Sequence, residues 1–265
     1  MFRVFIFYYF LAYSVSVNSQ NINFLEDTSS CEQGNAEACF NLGNYYYTDI
    51  EDGYVKASEL FSKACEMDYA DACFNLGNSY NNGVGVAQDS AKASELYSLA
   101  CGMNIASACF NIGQNYYKGK GVEQSYAKAN DFYIKSCEMD DVGACLNLGR
   151  AYNDGEGVAQ SYVKANEFYA QACEINTGAG CLNLGNSYMD GRGVEQDFTE
   201  ANKLYSKSCE AEYTLSCFSL GNSYYKGLGV EQDLAKAVKL YERACNLGNQ
   251  DVCDALERFN NKREK

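Results

Sequence analysis

Apolar and small residues recur along this chain at helical spacing, and the pattern itself repeats. In the stretch Cys73-Phe74-Asn75-Leu76-Gly77-Asn78-Ser79-Tyr80, the residues Ala72, Cys73, Leu76, Gly77 and Tyr80 fall on one helical face. A turn, Gly83 to Val86, follows, and a second apolar stripe of Ala93, Leu96, Tyr97 and Ala100 starts behind Asp89. The unit then begins again. Aligned on its cysteines, it recurs every 36 residues from Cys65 onward, after a first interval of 34. Units start at Ala36, Ala70, Ala106, Val142, Gly178 and Thr214, and a half unit starts at Gln250. The prediction is an all-α solenoid of six helix pairs, each too thin to bury a core without its neighbours.

Recurring residues within the units have local explanations. Glycine inside a helix costs about 1 kcal/mol against alanine. Its return at Gly43, Gly77, Gly113, Gly149, Gly185 and Gly221 therefore predicts close approach of a neighbouring helix. Tyr46, Tyr80, Tyr116, Tyr152, Tyr188 and Tyr224 are expected as core residues with the hydroxyl at the rim. The Gly-x-Gly-Val turns (Gly83 to Val86, Gly119 to Val122, Gly155 to Val158, Gly191 to Val194, Gly227 to Val230) supply left-handed positions that end one helix and reverse the chain. No strand precedes them, so they do not read as phosphate loops. Asp89, Ser125, Ser161, Asp197 and Asp233 are placed to cap the second helices. The first unit has Thr48 to Gly53 in place of the glycine turn, and the charged half unit from Asp251 to Phe259 suits a terminal cap.

The fourteen cysteines all fall into Cys-x7-Cys pairs. These are Cys31 with Cys39, Cys65 with Cys73, Cys101 with Cys109, Cys137 with Cys145, Cys173 with Cys181, Cys209 with Cys217 and Cys245 with Cys253. Each pair spans the corner where one unit's second helix gives way to the next unit's first helix, and there two backbones come within disulfide range. Pairing across a whole repeat would have to bridge a helix-packing distance of roughly 8–10 Å, which is too far. Zinc is the competing use of paired thiols, but its ligands sit closer in sequence and the chain has no histidine. One such bridge is worth about 2.6 kcal/mol in the chain-entropy picture.

Composition changes the picture in two ways. Met1 to Ser19 carries one arginine, an apolar run and a small-residue end, the layout of a secretory signal peptide, with a membrane-anchoring helix as the competing reading. Together with the cysteine usage this predicts a secreted or periplasmic protein, not inserted in the membrane after cleavage. The expected organisation is residues 1–19 signal peptide, 20–35 N-terminal capping segment, 36–249 six repeats and 250–265 C-terminal capping helix. The formal net charge of −14 repels nucleic acid and anionic lipid, so neither is an expected partner. A monomer with no cofactor and no metal is expected.

The pattern Leu-Gly-x-x-Tyr, Gly-x-Gly-Val, then Asp-x-x-Lys-Ala-x-x-Leu-Tyr-x-x-Ala resembles the Sel-one-like repeat, a relative of the tetratricopeptide repeat. With Cys-x7-Cys in every unit it is similar to the Helicobacter cysteine-rich protein family, over Cys31 to Phe259. The resemblance implies a right-handed, tetratricopeptide-like α/α solenoid stapled by the seven disulfides. For function it implies exported proteins described as penicillin-binding, as weak β-lactamases or as host-interacting factors, while relatives in other compartments serve as adaptors. Partners on that basis are a peptide or protein, or else a β-lactam or cell-wall fragment.

For an enzyme the residues offer little. Without histidine no Ser-His-Asp or Cys-His arrangement exists, and the bridged cysteines leave no thiolate. Ser-x-x-Lys, the nucleophile motif of serine β-lactamases, occurs at Ser125 to Lys128, Ser161 to Lys164 and Ser223 to Lys226. Neither Lys-Thr-Gly nor Ser-Asp-Asn accompanies it, and the first two serines also read as helix caps, so no catalytic residue is assigned. The binding candidate is a ladder of amides on the first helices, expected to line a concave face. One row is Asn41, Asn75, Asn111, Asn147 and Asn183; three residues on, the other is Asn44, Asn78, Gln114, Arg150, Asn186 and Asn222. Amides donate and accept, which suits the main chain of an extended peptide. Bonding within the scaffold is the competing role.

Overall fold

The structure, a computed structural model, describes residues 24–176, 178–254 and 256. Residues 1–19, where a signal peptide is expected, lie outside the described residues, as do residues 20–23, 255 and 257–265 of the two expected capping segments. The chain divides into two compact units with the boundary between Gln124 and Ser125. The first holds α1 (24–32), α2 (Ala36–Asp49), α3 (Tyr54–Cys65), α4 (Ala70–Asn82), α5 (Ser90–Gly102) and α6 (Ala106–Lys118). The second holds α7 (Tyr126–Cys137), α8 (Val142–Asp154), α9 (Tyr162–Ile175), α10 (Ala179–Asp190), α11 (Phe198–Glu210), α12 (Thr214–Lys226) and α13 (Leu234–Asn246), followed by helical residues 251–254. No strand occurs among the described residues. In each unit successive helices pack on one another, so both show the expected all-α stack of helix pairs.

The local chemistry that starts and stops these helices repeats from pair to pair. Asp89 caps α5 by accepting from the amides of Ala91 and Lys92, both at 3.0 Å. Ser125, Ser161, Asp197 and Asp233 cap α7, α9, α11 and α13 in the same way. The first helix of each glycine-turn repeat ends at a left-handed glycine, as at Gly83 with φ 70°. Five glutamines then close the turn. Gln88, Gln124, Gln160, Gln196 and Gln232 each donate from Nε2 to a carbonyl at the end of the preceding helix, at 2.7–2.8 Å. These bonds satisfy carbonyls that a helix terminus otherwise leaves open.

Helix pairs meet where glycine meets an aromatic ring. A Cβ added at Gly77 would lie 2.9 Å from the Tyr97 ring, and Gly185 and Gly221 stand in the same relation to Tyr205 and Tyr241. Close approach is thus what these helical glycines permit. The buried aromatic is the second-helix one, however: Tyr97, Tyr133, Tyr169 and Tyr205 are 2–7% exposed. The first-helix tyrosines expected in the core are only half-buried. They sit on the last turn of their helix, and three of them take the repeat lysine over their faces. Lys92 lies 5.1 Å from the Tyr80 ring centre, Lys164 5.1 Å from Tyr152 and Lys236 4.1 Å from Tyr224.

Repeats join through a ladder at the second helix. Ser58 and Ser94 in the first unit donate to the carbonyls of Val84 and Lys120, which lie in the following glycine turn. Asn130, Asn166 and Asn202 in the second unit do so to Glu156, Arg192 and Leu228, at 2.6–2.7 Å. The second glycine of each turn rests against the backbone that opens the preceding second helix. A Cβ at Gly193 would fall 2.5 Å from the Tyr162 carbonyl carbon.

All seven cysteine pairs are bridged as the corner geometry requires, and no free cysteine is found. In the first unit Cys31 is joined to Cys39, Cys65 to Cys73 and Cys101 to Cys109, with Cα atoms 4.6–4.7 Å apart. In the second, Cys137 is joined to Cys145, Cys173 to Cys181, Cys209 to Cys217 and Cys245 to Cys253, at 4.6–4.9 Å. The later cysteine of each pair opens a first helix from its buried side: Cys39, Cys73, Cys109, Cys145, Cys181 and Cys217 are all fully buried. Six of the seven staples close a corner whose chain passes through a left-handed residue. Asp68, Asn104, Asp140 and Glu212 occupy that position with φ 59–64°, and Gly34 and Gly248 fill it at the two ends. The corner after α9 departs from the series: the helix runs on to Ile175, and the extended Asn176 (φ −145°) accepts from the Gly178 amide.

Candidate functional site

The two rows of first-helix amides have different surroundings. In the second row, Asn78, Asn186 and Asn222 each accept a hydrogen bond from a second-helix tyrosine of their own helix pair, buried at Tyr97 and Tyr205 and half-buried at Tyr241. Tyr97 Oη donates to Asn78 Oδ1 at 2.8 Å, Tyr205 to Asn186 at 2.7 Å and Tyr241 to Asn222 at 2.8 Å. Burial pushes the Tyr97, Tyr169 and Tyr205 hydroxyls up to about 12. The neutral hydroxyl is therefore a dependable donor. It fixes which end of each amide faces inward and leaves the amide's own N–H donors for the other side.

The first pair lacks this device, because Phe61 stands where the others carry tyrosine. There Asn44 Oδ1 accepts instead from Asn75 Nδ2 at 3.4 Å, joining the two rows across a repeat boundary. Asn111 likewise reaches the Tyr97 hydroxyl from the following repeat; as an acceptor-stabilising bond it works against the upward push of burial. Gln114 accepts from Lys118 Nζ at 3.1 Å. Arg150 is exposed near Tyr169, and Asn41 is exposed, while Asn147 and Asn183 are half-buried. In the last repeat the first row breaks at Ser219, whose carbonyl accepts from Ser223.

The three Ser-x-x-Lys stretches take scaffold roles. Ser125 and Ser161 accept from the backbone amides of Lys128 and Lys164, at 3.3 and 3.4 Å, as caps. The Lys164 ammonium lies over the Tyr152 ring. Ser223 is 1% exposed. A nucleophile needs access and a base within hydrogen-bond reach, and the buried Ser223 lacks the first.

The Sel1 repeat matches residues 36–69, 70–104, 106–141, 142–176, 178–213 and 214–249. This chain belongs to the Sel1 repeat family. Among solved structures, this Sel1 repeat protein is similar to c5321, a protective antigen of uropathogenic Escherichia coli displaying an SLR fold. The TM-score is 0.81 at 31% identity, over 86% of this chain and 50% of that one. The chain thus spans half the length of that relative. A Sel1 repeat protein from Oxalobacter formigenes aligns with TM-score 0.75 and 25% identity, over 79% of this chain and 86% of that one. The Helicobacter pylori cysteine rich protein B is 35% identical over 48% of this chain and 92% of its own, with TM-score 0.41. No curated protein matches the chain.

Sel1 repeats serve protein–protein interaction, and seven disulfides in one chain call for an oxidising compartment. No helix among the described residues is long and apolar enough to cross a membrane. Two repeated roles had escaped the sequence reading: the turn-closing glutamines and the Ser/Asn ladder between repeats. Both were visible in the sequence, the glutamine at a fixed place in every glycine-turn unit and the Ser or Asn at a fixed place in every second helix from α3 to α11.

Proposed function

We propose that this Sel1 repeat chain is an exported scaffold that binds a peptide or protein partner through the amides of its first helices. What carries the reading is the tyrosine–asparagine bond repeated at Asn78, Asn186 and Asn222. A surface amide ordinarily loses rotational freedom when a ligand engages it, and that loss subtracts from affinity. Here the buried hydroxyl has already ordered the side chain, and the N–H donors are presented to whatever lies alongside. Donors at repeat spacing suit the carbonyls of an extended main chain. The disulfides fit the scaffold to a secreted or periplasmic setting.

The test is a peptide array probed with the oxidised protein, followed by calorimetry on the best binder. Asn78→Ala, Asn186→Ala and Asn222→Ala remove the amides that the tyrosines order. The expected outcome is weaker peptide binding, about fivefold per amide, with helical circular dichroism kept. Binding that ignores all three substitutions refutes the proposal.

A further inference from the structure

The groove between α11 and α13 departs from its own repeat. It is walled by α11, the end of α12 with its glycine turn, and α13, and it holds a cavity of about 350 Å³. That volume lies within the range of ligand pockets. Lys203, Lys236 and Arg243 line it, against one carboxylate, Glu210. The positions 36 residues earlier are Glu167, Glu200, Lys207 and Glu174, one cation against three carboxylates. Two neutral positions change as well. Val163 and Ala170 give way to Thr199 and Ser206, both of which line the cavity. A chain of net charge −14 thus gathers cations and hydroxyls at this groove.

A buried amide marks the same place. Asn202 is 5% exposed and lines the cavity, and its Nδ2 donates to the Leu228 carbonyl at 2.6 Å. That bond fixes which way the amide faces. Oδ1 is left buried with no hydrogen-bond partner, the one side-chain atom so placed among the described residues. The cations already have single partners. Lys236 donates to the Tyr224 hydroxyl at 2.6 Å, Arg243 Nη2 to the Glu210 carbonyl at 3.4 Å, and Lys203 pairs with Glu200 at 2.7 Å. Neither an ammonium nor a guanidinium spends all its donors on one bond. The Glu210 carboxylate is engaged by Ser206 Oγ at 3.0 Å. These groups together suit a ligand with an anion for the cations and an O–H donor for Asn202. We infer that this cavity binds a small sugar anion, its acidic group toward Arg243 and Lys236 and a hydroxyl donating to Asn202 Oδ1. The site goes beyond the amide rows of the first helices and does not depend on them.

Calorimetric titration of the oxidised protein tests it. Glucuronate and glucose 6-phosphate serve as sugar anions, and glucose, acetate and inorganic phosphate as their separate halves. A sugar anion is expected to bind about tenfold tighter than either of its halves, and the one that does so tells a carboxylate site from a phosphate site. Arg243→Gln should weaken that ligand about tenfold, through loss of charge-assisted bonds. Asn202→Ser should weaken it about fivefold. Ser58 and Ser94 hold the same ladder position in the first unit, so the circular dichroism of Asn202→Ser is expected to match the parent. Thr199→Val with Ser206→Ala restores the residues of the preceding repeat and should weaken binding with the fold intact. Asn78→Ala should leave it unchanged, which separates this site from the amide rows. Binding of neither sugar anion, binding no tighter than the halves, or binding indifferent to both Arg243 and Asn202 overturns the site. The peptide proposal then stands on its own test.

Discussion

The bond between Tyr205 and Asn186 can be weighed by a double-mutant cycle. Tyr205→Phe keeps the ring that packs on Gly185 and removes only the hydroxyl that donates to Asn186 at 2.7 Å. A net intramolecular hydrogen bond is worth about 0.5–1.5 kcal/mol. Leaving a buried acceptor unmade would cost more, but Asn186 is exposed and its oxygen returns to water. The expected loss is therefore about 1 kcal/mol, or about 2–4 °C in unfolding temperature for a body of this size. Phe61 supports the modest figure, since the first repeat tolerates phenylalanine at this position. Repeat arrays need not unfold as one body. The cycle of Tyr205→Phe, Asn186→Ala and their combination is therefore best read from hydrogen exchange of α10 and α11 amides. A coupling of about 1 kcal/mol is expected. Zero coupling would show that the hydroxyl does not hold the amide, and the argument for pre-ordered donors would fall with it.

Three other perturbations follow from the geometry. Glu212 holds a left-handed conformation, φ 63°, where Gly34 and Gly248 stand at the two ends of the series. Glu212→Gly should therefore raise stability by about 0.5–1 kcal/mol, the relieved backbone cost less the glycine's extra freedom when unfolded, and a fall in unfolding temperature would contradict it. Every cysteine from Cys31 to Cys217 is buried, whereas Cys245 and Cys253 are half-buried. Thiolate attack needs access, so limiting dithiothreitol followed by alkylation and peptide mass spectrometry should label this last pair first; earlier labelling of any inner pair would refute the reasoning. Tyr97, Tyr169 and Tyr205 are raised to about 12 by burial, above the unfolded value near 10. The stability tied to the raised value is fully present below about pH 10 and is lost as pH climbs toward 12, because the unfolded chain ionises first. Tyrosinate absorbance should show a late class rising together with loss of helical dichroism. Ionisation of that class near pH 10 in an intact fold would count against it.

The repeat made the helices, their caps and the cysteine corners legible, because each rests on contacts close in sequence. Asp89 needs only the amides two and three residues on to act as a cap, and Cys65 needs only Cys73. The tyrosines were harder. Tyr80 and Tyr97 both lie on apolar stripes, and periodicity does not say which ring the helical glycine admits; the Gly77–Tyr97 contact decides it. The amide rows were visible as a ladder but not as two chemistries, since a partner 19 residues away, Tyr97 for Asn78, separates them. Val238 carries the argument furthest. Its apolar side chain reads in isolation as one more stripe residue. Only against Asn202 and the turn carbonyl it serves does the valine mark α13 as the one second helix from α3 onward without a Ser or Asn at that position. A residue that departs from a repeat is informative to the degree that the repeat's own use of that position is known, which here is a hydrogen bond to the next repeat.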